Sequence, residues 1–488
     1  MSGRHGAGTV IDAVLSRRPG PQHLHRLAFV LAAIGLAVAP DADSASARTL
    51  TVDRSSSACS DTRAREAVTA SAPWCTLVPA STRVEPGDTV SVRPGTYTGF
   101  RPARSGTSTA RIRYVAAGGP VTLVPSSGVT NAVMLVRVNW LTLDGFTITG
   151  GSARGLWVED AGHVELLRLR VNANPGAGIA LFGSHHVVVW RSELRGNGRA
   201  GIVEYAGSAD NQFSRNTIVG NGKDGDRYNG DGIQLAGVNT TVTDNTVAGN
   251  GDVGGREHGI YAAAAARSYT IERNTVDGGP GAAIKAQGTG VIRHNRLGPG
   301  LYGLVLSDNP APVAVIGNVI GGRFQHAVMI LTGTTRGQAT LWHNTIAQTG
   351  RSTSAGNAAA LFVESAGALD IRNNLVCYVA ADNLGPALWI NAATRVASLR
   401  SDTNWFCGTD PDNRGLAWNG SLVTLAQWRS RCGCDTASIA SSAPTFDSDY
   451  RVTSANLGSG RGQPLPVGND IDGTPYARSA PDIGAYQD

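Results

Sequence analysis

Residues 231–276 read DGIQLAGVNTTVTDNTVAGNGDVGGREHGIYAAAAARSYTIERNTV, and one pattern is written in them twice: a small residue, an aliphatic, a short turn, a second alternating run, and Asn before a final aliphatic. Upstream the pattern returns in RGLWVEDAGHVELLRLRV from 154, AGIALFGSHHVVVWRSEL from 177 and AGIVEYAGSADNQFSRNTI from 200. Downstream it continues in AAIKAQGTGVIRHNRL from 282, YGLVLSDNPAPVAVIGNVI from 302 and HAVMILTGTTRGQATLWHNTI from 326. A repeat at this spacing is the mark of a solenoid. The runs are too short for helices, alternate apolar with polar, and are bounded by Gly, Asn and Asp, so they read as strands. Such strands bury no face alone. Stacked coil on coil, they place Ile179, Ile202, Ile233, Ile260 and Ile284 in one inward ladder. Asn216, Asn245, Asn274, Asn295, Asn318, Asn344 and Asn374 end the second run, where their amides can bond from coil to coil.

The expected fold is therefore an all-β parallel β-helix of about ten coils. Residues 1–47 stand apart as a signal peptide: Arg17, Arg18 and Arg26 precede the apolar run Leu27 to Ala39, and Ala45-Ser46-Ala47 supplies a small-x-small site, with cleavage after Ala47. The chain is then a secreted, extracellular protein. Residues 48–110 are expected to form an N-terminal cap and first coils, 111–400 the repeats, and 401–488 a C-terminal cap region. In that last stretch the pattern gives way to Trp405, Trp418 and Trp428 with Cys407, Cys432 and Cys434.

The formal charge of +5 falls to +4 without the signal segment, and no basic block is interleaved with aromatics, so nucleic acid is not an expected partner. No membrane partner is expected either, and the chain is expected to be monomeric. The six cysteines, Cys59, Cys75, Cys377, Cys407, Cys432 and Cys434, fit disulfides in an oxidising compartment. Cys59 is expected to pair with Cys75, while Cys432 and Cys434 stand too close to pair with one another and are each expected to reach elsewhere.

Over nearly all of the mature chain the sequence resembles the right-handed parallel β-helix, or pectate-lyase-like, superfamily. Ala72-Pro73-Trp74-Cys75-Thr76, Val84-Glu85-Pro86-Gly87-Asp88-Thr89-Val90 and Arg93-Pro94-Gly95-Thr96-Tyr97 look like the opening coil of its secreted members. Asp472-Gly473-Thr474-Pro475 and Pro481-Asp482-Ile483-Gly484-Ala485-Tyr486 look like their finish. The resemblance is specific for fold and not for activity, since the superfamily holds lyases, hydrolases, epimerases and non-catalytic surface proteins.

In a stacked solenoid a site shows as a column. The position ahead of the small residue reads Arg154, Ala177, Ala200, Asp231, His258, Ala282, Tyr302, His326; the one after the inward aliphatic reads Trp157, Ala180, Val203, Gln234, Tyr261, Lys285, Val305, Met329. Lys285 is one of only two lysines in the chain, and an amine can serve as a base where arginine cannot. His258 and Tyr261 straddle one inward residue, which suits a proton-transfer pair. Lys285, His258 and Tyr261 are therefore the candidate catalytic residues. Asp231, Gln234, Glu204 and Trp157 are candidate substrate contacts, with Trp157 and Glu204 expected on the same outward side. Asp224, Asp226, Asp231 and Glu257 are candidate ligands of Ca²⁺, the one cofactor expected. Each of these residues also has an ordinary role open to it, as a surface cation, a packed imidazole or a polar turn.

The leading expectation is a lyase acting by β-elimination on an acidic, uronic-acid-containing polysaccharide. A glycoside hydrolase or uronate epimerase, or a non-catalytic glycan-binding protein, is the alternative. Asn229-Gly230-Asp231-Gly232, Glu257-His258-Gly259 and Ile284-Lys285 resemble in order the pieces of a polygalacturonase site, but that family's paired-aspartate turn is missing, which weighs against hydrolysis.

Overall fold

A computed structural model describes residues 46–223, 230–252, 256–308, 312–333, 337–352, 358–379, 385–408, 415–454 and 456–487. The predicted signal segment up to residue 45, with Asp224 and Asp226, lies outside them.

Short strands recur three to a coil and build three long sheets. The first runs in 14 strands from Thr49–Val52 to Leu399–Asp402, and the second in 14 from Gly95–Thr98 to Ile439–Ser442. The third holds 13 strands from Asn131–Val136 onward, closed by an antiparallel hairpin between Leu416–Trp418 and Ser421–Val423. The other strand pairings within the sheets are parallel, so each coil lies in register on the one before. The architecture is the expected parallel β-helix, with about 12 turns rather than about ten. Third-sheet strands such as Leu388–Ile390 and Leu416–Trp418 keep the small residue that opens the repeat, in Ala387 and Gly415, and add coils beyond the segments that carry the full pattern.

The inward ladder is as expected. Ile179, Ile202, Ile233, Ile260 and Ile284 are paired in succession and fully buried. At the corner between the first and second sheets the Asn ladder runs unbroken from Asn216 to Asn404. Each Nδ2 donates to the next Oδ1 at 2.9–3.1 Å, and the same Oδ1 accepts the previous Asn backbone N–H. A second ladder, Asn174, Asn197, Asn221 and Asn250, lines the corner between the second and third sheets. Its members open Asn-Pro-Gly or Asn-Gly steps that read as ordinary loop chemistry in the sequence.

Both ends are covered. At the start, the helix Val78–Arg83 lies over the first coils, where Tyr114 donates its hydroxyl to the Ala80 carbonyl at 3.0 Å. At the other end, the helix Leu425–Cys432 inserts Trp428, which donates to Asp435 at 2.8 Å and packs edge-on against Trp418. From 456 the tail turns back along the outside of the coils, where Ala485 N–H bonds Thr345 and the His343 ring lies against Tyr476.

Cys59 pairs with Cys75, and Cys377 with Cys407 on the adjacent coil. Cys432 pairs with Cys434, contrary to expectation. Gly433 at φ 63° ends the helix in the left-handed conformation and folds the chain back, leaving the two Cα atoms 5.2 Å apart.

The buried ladder makes a direct prediction. Asn295→Ala removes the acceptor of the Asn274 backbone N–H, one of the three acceptors of the Asn274 Nδ2 and the side-chain donor to the Ile271 carbonyl, all inside the coil. It should destabilise the protein by ~2 kcal/mol or more, whereas Asn239→Gly, which suits the left-handed backbone at φ 58° and loses an amide bond to an exposed Asp210, should cost under ~1 kcal/mol. Urea unfolding of the two variants beside the parent checks this.

Candidate functional site

The outer face of the third sheet carries the predicted columns. Trp157, Ala180, Val203, Gln234, Tyr261, Lys285, Val305 and Met329 pair in one unbroken row, since every second residue of a strand points away from the core. Asp231 and His258 stand just ahead of the strands Ile233–Leu235 and Ile260–Ala262, downstream of Asn221 and Asn250.

Four predicted residues meet there. Asp231 accepts the His258 backbone N–H at 2.7 Å, and the His258 ring lies 5.7 Å from that of Tyr261. The Lys285 amine sits 5.5 Å from the centre of the Tyr261 ring. Tyr261 donates its hydroxyl to Gln287, which in turn donates to Asp308 at 3.4 Å. Tyr261 and Lys285 are partly exposed, whereas Asp231 and His258 are 3% and 5% exposed and form a floor beneath them.

Burial sets the protonation of that floor. It pushes the Asp231 carboxyl up to about 8, aided by the nearby Glu257 charge and opposed by the His258 N–H and Lys285. It holds His258 down to about 3, with Lys285 adding to the effect. Burial likewise raises the Tyr261 phenol, with Asp231 and Asp308 contributing, so it keeps its proton. The His258 Nδ1 accepts the Ala282 N–H at 3.0 Å, which puts the ring proton on Nε2. In that tautomer His258 is a poor base, and of the three candidate catalytic residues Lys285 and Tyr261 hold the accessible positions.

The remaining candidates are placed differently. Gln234 points outward beside Tyr261 and lines a shallow dip with Arg154, Ala177, Arg199, Ala200, Val203 and Tyr205. Trp157 lies on the same face, its ring covered by the Arg154 guanidinium at 4.1 Å and grouped with the exposed rings of Phe182 and Tyr205. Glu204 is not beside Trp157. The partner of the Trp157 column is Val203, so the next residue turns inward, and Glu204 is 1% exposed in the core. There it accepts from Asn211 at 2.8 Å, Thr240 at 2.7 Å and Gly237 N–H at 3.0 Å, and burial raises its pKa. Gly237 makes this possible, because a Cβ there would stand 2.6 Å from the carboxyl carbon. Of the four candidate Ca²⁺ ligands, Asp231 and Glu257 are described; both are buried, and among the described residues no third acidic group joins them in a metal-sized cluster.

Sequence reasoning passed over Arg199, Tyr205, Gln287 and Asp308, which lie in turns outside the strand columns. It also passed over a second histidine of the same kind. His326 accepts the Ala359 N–H at 3.2 Å through Nδ1, stacks on Phe362 at 4.4 Å, and is held down to about 4 by burial. Its place in the His258 column was the available signal.

The profile of the right handed beta helix region family matches residues 126–276 and 231–381, together just over half of the chain. No curated protein matches. Among solved structures, the chain is similar to an alginate lyase from Paenibacillus sp. str. FPU-7, at 15% identity and TM-score 0.40 over 66% of this chain and 99% of that one. It is similar to the pectate lyase Pel9A at 15% identity and TM-score 0.43, covering 91% and 97% of the two chains. It is also similar to the A-module of the mannuronan C-5 epimerase AlgE4 from Azotobacter vinelandii, at 15% identity and TM-score 0.42, covering 58% and 86%. Likeness at these identities is likeness of fold.

The buried carboxyl of Asp231 has a pH signature. With a folded pKa near 8 against an ordinary 3.8, the folded chain holds a proton that the unfolded chain releases. Stability therefore falls as pH rises through that window and levels above it. Asp231→Asn keeps the acceptor for His258 N–H without the titration. Between pH 6 and pH 9 the parent should lose ~2 kcal/mol more stability than this variant, measured by urea unfolding.

Proposed function

This chain belongs to the right handed beta helix family, and from that premise we propose that it is an exported, polysaccharide-active enzyme, a lyase that cleaves a uronic-acid polymer by β-elimination. The observation that carries this reading is the Lys285 amine over the Tyr261 ring, on the outer face of a sheet whose floor beneath them is buried and proton-controlled. A lysine is the base-forming cation, in a chain with one other lysine and otherwise arginines. The three disulfides fit an exported protein.

In this reading the Lys285 amine takes the proton from the carbon bearing the uronate carboxylate. The C–H electron pair becomes a carbon–carbon double bond, the adjacent glycosidic C–O bond breaks, and the leaving oxygen takes its proton from the Tyr261 phenol. Arg154 and Arg199, around the neighbouring dip, supply positive charge for the acidic sugars along the chain. No step is drawn through Ca²⁺, because Asp231 is a proton-holding carboxyl already bonded to His258 N–H and its one described acidic neighbour, Glu257, is buried.

Hydrolysis is the second reading, favoured by one fact: a carboxyl held up to about 8 is protonated at neutral pH, as a general acid must be. Incubation with pectin, alginate and glycosaminoglycans separates the two. A lyase raises ultraviolet absorbance together with reducing ends, and a hydrolase raises reducing ends alone. Lys285→Ala and Lys285→Arg should each lower kcat by ~100-fold or more, because arginine keeps the charge but holds its proton. Full activity in the arginine variant would remove Lys285 from the role of base.

A further inference from the structure

We propose that His163, His185 and His186 bind a divalent transition-metal ion of the zinc, nickel or copper group, at the corner where the third sheet turns into the first. The three imidazoles come from two successive coils, and their nitrogen donors all lie within 4.8 Å of one another. Tetrahedral zinc–imidazole bonds of ~2.0–2.1 Å place nitrogens ~3.4 Å apart, so small side-chain movements close the set. Imidazole is the donor that these ions share.

The convergence is built by the backbone. Asn139, Gly162 and His185 stack by coil-to-coil bridges, and the next column holds Trp140, His163 and His186, each with φ between 53° and 59°. Gly162 leaves the space that the His185 ring fills: a Cβ there would stand 2.4 Å from His185 Cε1 and 2.8 Å from its Nε2. The His163 ring is fixed from the other side, stacked on Trp140 at 3.8 Å and facing His186 at 4.6 Å.

The nitrogens also face one another. His185 Nδ1 and His186 Nδ1 stand 3.0 Å apart, and two imidazole lone pairs at that distance need a proton or a cation between them. The nearest fixed cation, Arg111, donates to the His163 carbonyl and is paired with Glu165 at 3.3 Å, so its charge is offset. His185 and His186 are exposed, which leaves the remaining coordination positions to water.

The test uses the untagged, metal-free protein and reads binding, so it stands apart from any assay of polysaccharide cleavage. Calorimetric titration with Zn²⁺ should show about one equivalent bound. Titration with Co²⁺ should give the visible absorption of a nitrogen-bound ion, and Zn²⁺ should raise the unfolding temperature. His185→Ala and His186→Asn should each weaken Zn²⁺ binding by about tenfold or more, with Asn chosen because it tolerates the left-handed backbone at 186. Gly162→Ala, which keeps all three imidazoles but displaces one, should weaken it as well. Absence of saturable binding would overturn the proposal and leave a proton-sharing pair, as would binding unchanged in His185→Ala and His186→Asn proteins that retain the parent's circular dichroism.

Discussion

A side-chain amide shut inside a β-helix corner has two donors and an acceptor to satisfy, and in this molecule the partner is the same amide one coil away. From Asn216 to Asn404 each Asn takes a backbone N–H and an Nδ2 hydrogen from the coil before it and gives its own to the coil after. Such a bond forms only when the coils are in register. A slip of one residue would send every inward aliphatic outward and strand the row of amides together. Everything else about the molecule, including which side chains stand side by side on the outer face, follows from that locked stacking.

Register is what turns distant residues into a site. Asp231, His258 and Lys285 are separated by 27 residues at each step, yet stacking brings them within one hydrogen bond or one ring contact of a neighbour. Asp231 and His258 follow Asn221 and Asn250 by ten and eight residues, against three from Asn174 to Ala177 and from Asn197 to Ala200, and they lead into the third-sheet strands. The second ladder ends at Asn250, in the coil of His258. Beside its last two members the corner holds a carboxyl and an imidazole whose protonation is set by burial instead of by solvent.

The repeat made the fold legible: the isoleucine column, the longer Asn ladder and the outer row from Trp157 to Met329 all lie where alternation puts them. Glu204 escaped because a carboxylate reads as a surface residue, although Val203 already holds the outward position of its strand and the next residue must turn inward. The cap disulfide escaped because sequence spacing says nothing of a left-handed glycine between two cysteines. The histidine cluster escaped because His163 lies 22 residues before His185, and only the missing side chain of Gly162 lets the rings meet. In each case the deciding fact is a local direction of the chain, which residue type alone does not carry.

The central claim is that an acidic polysaccharide lies along the outer face of the third sheet, over Trp157, Tyr205, Gln234, Tyr261 and Lys285. Hydroxyl-radical footprinting with and without an oligouronate tests it most directly, because it reads contact at each aromatic ring without requiring turnover. The account predicts protection of Trp157, Tyr205 and Tyr261, with no change at Trp190 on the first sheet. Protection of Trp190 with Tyr261 left open, or no protection at any of these rings under saturating ligand, would contradict it.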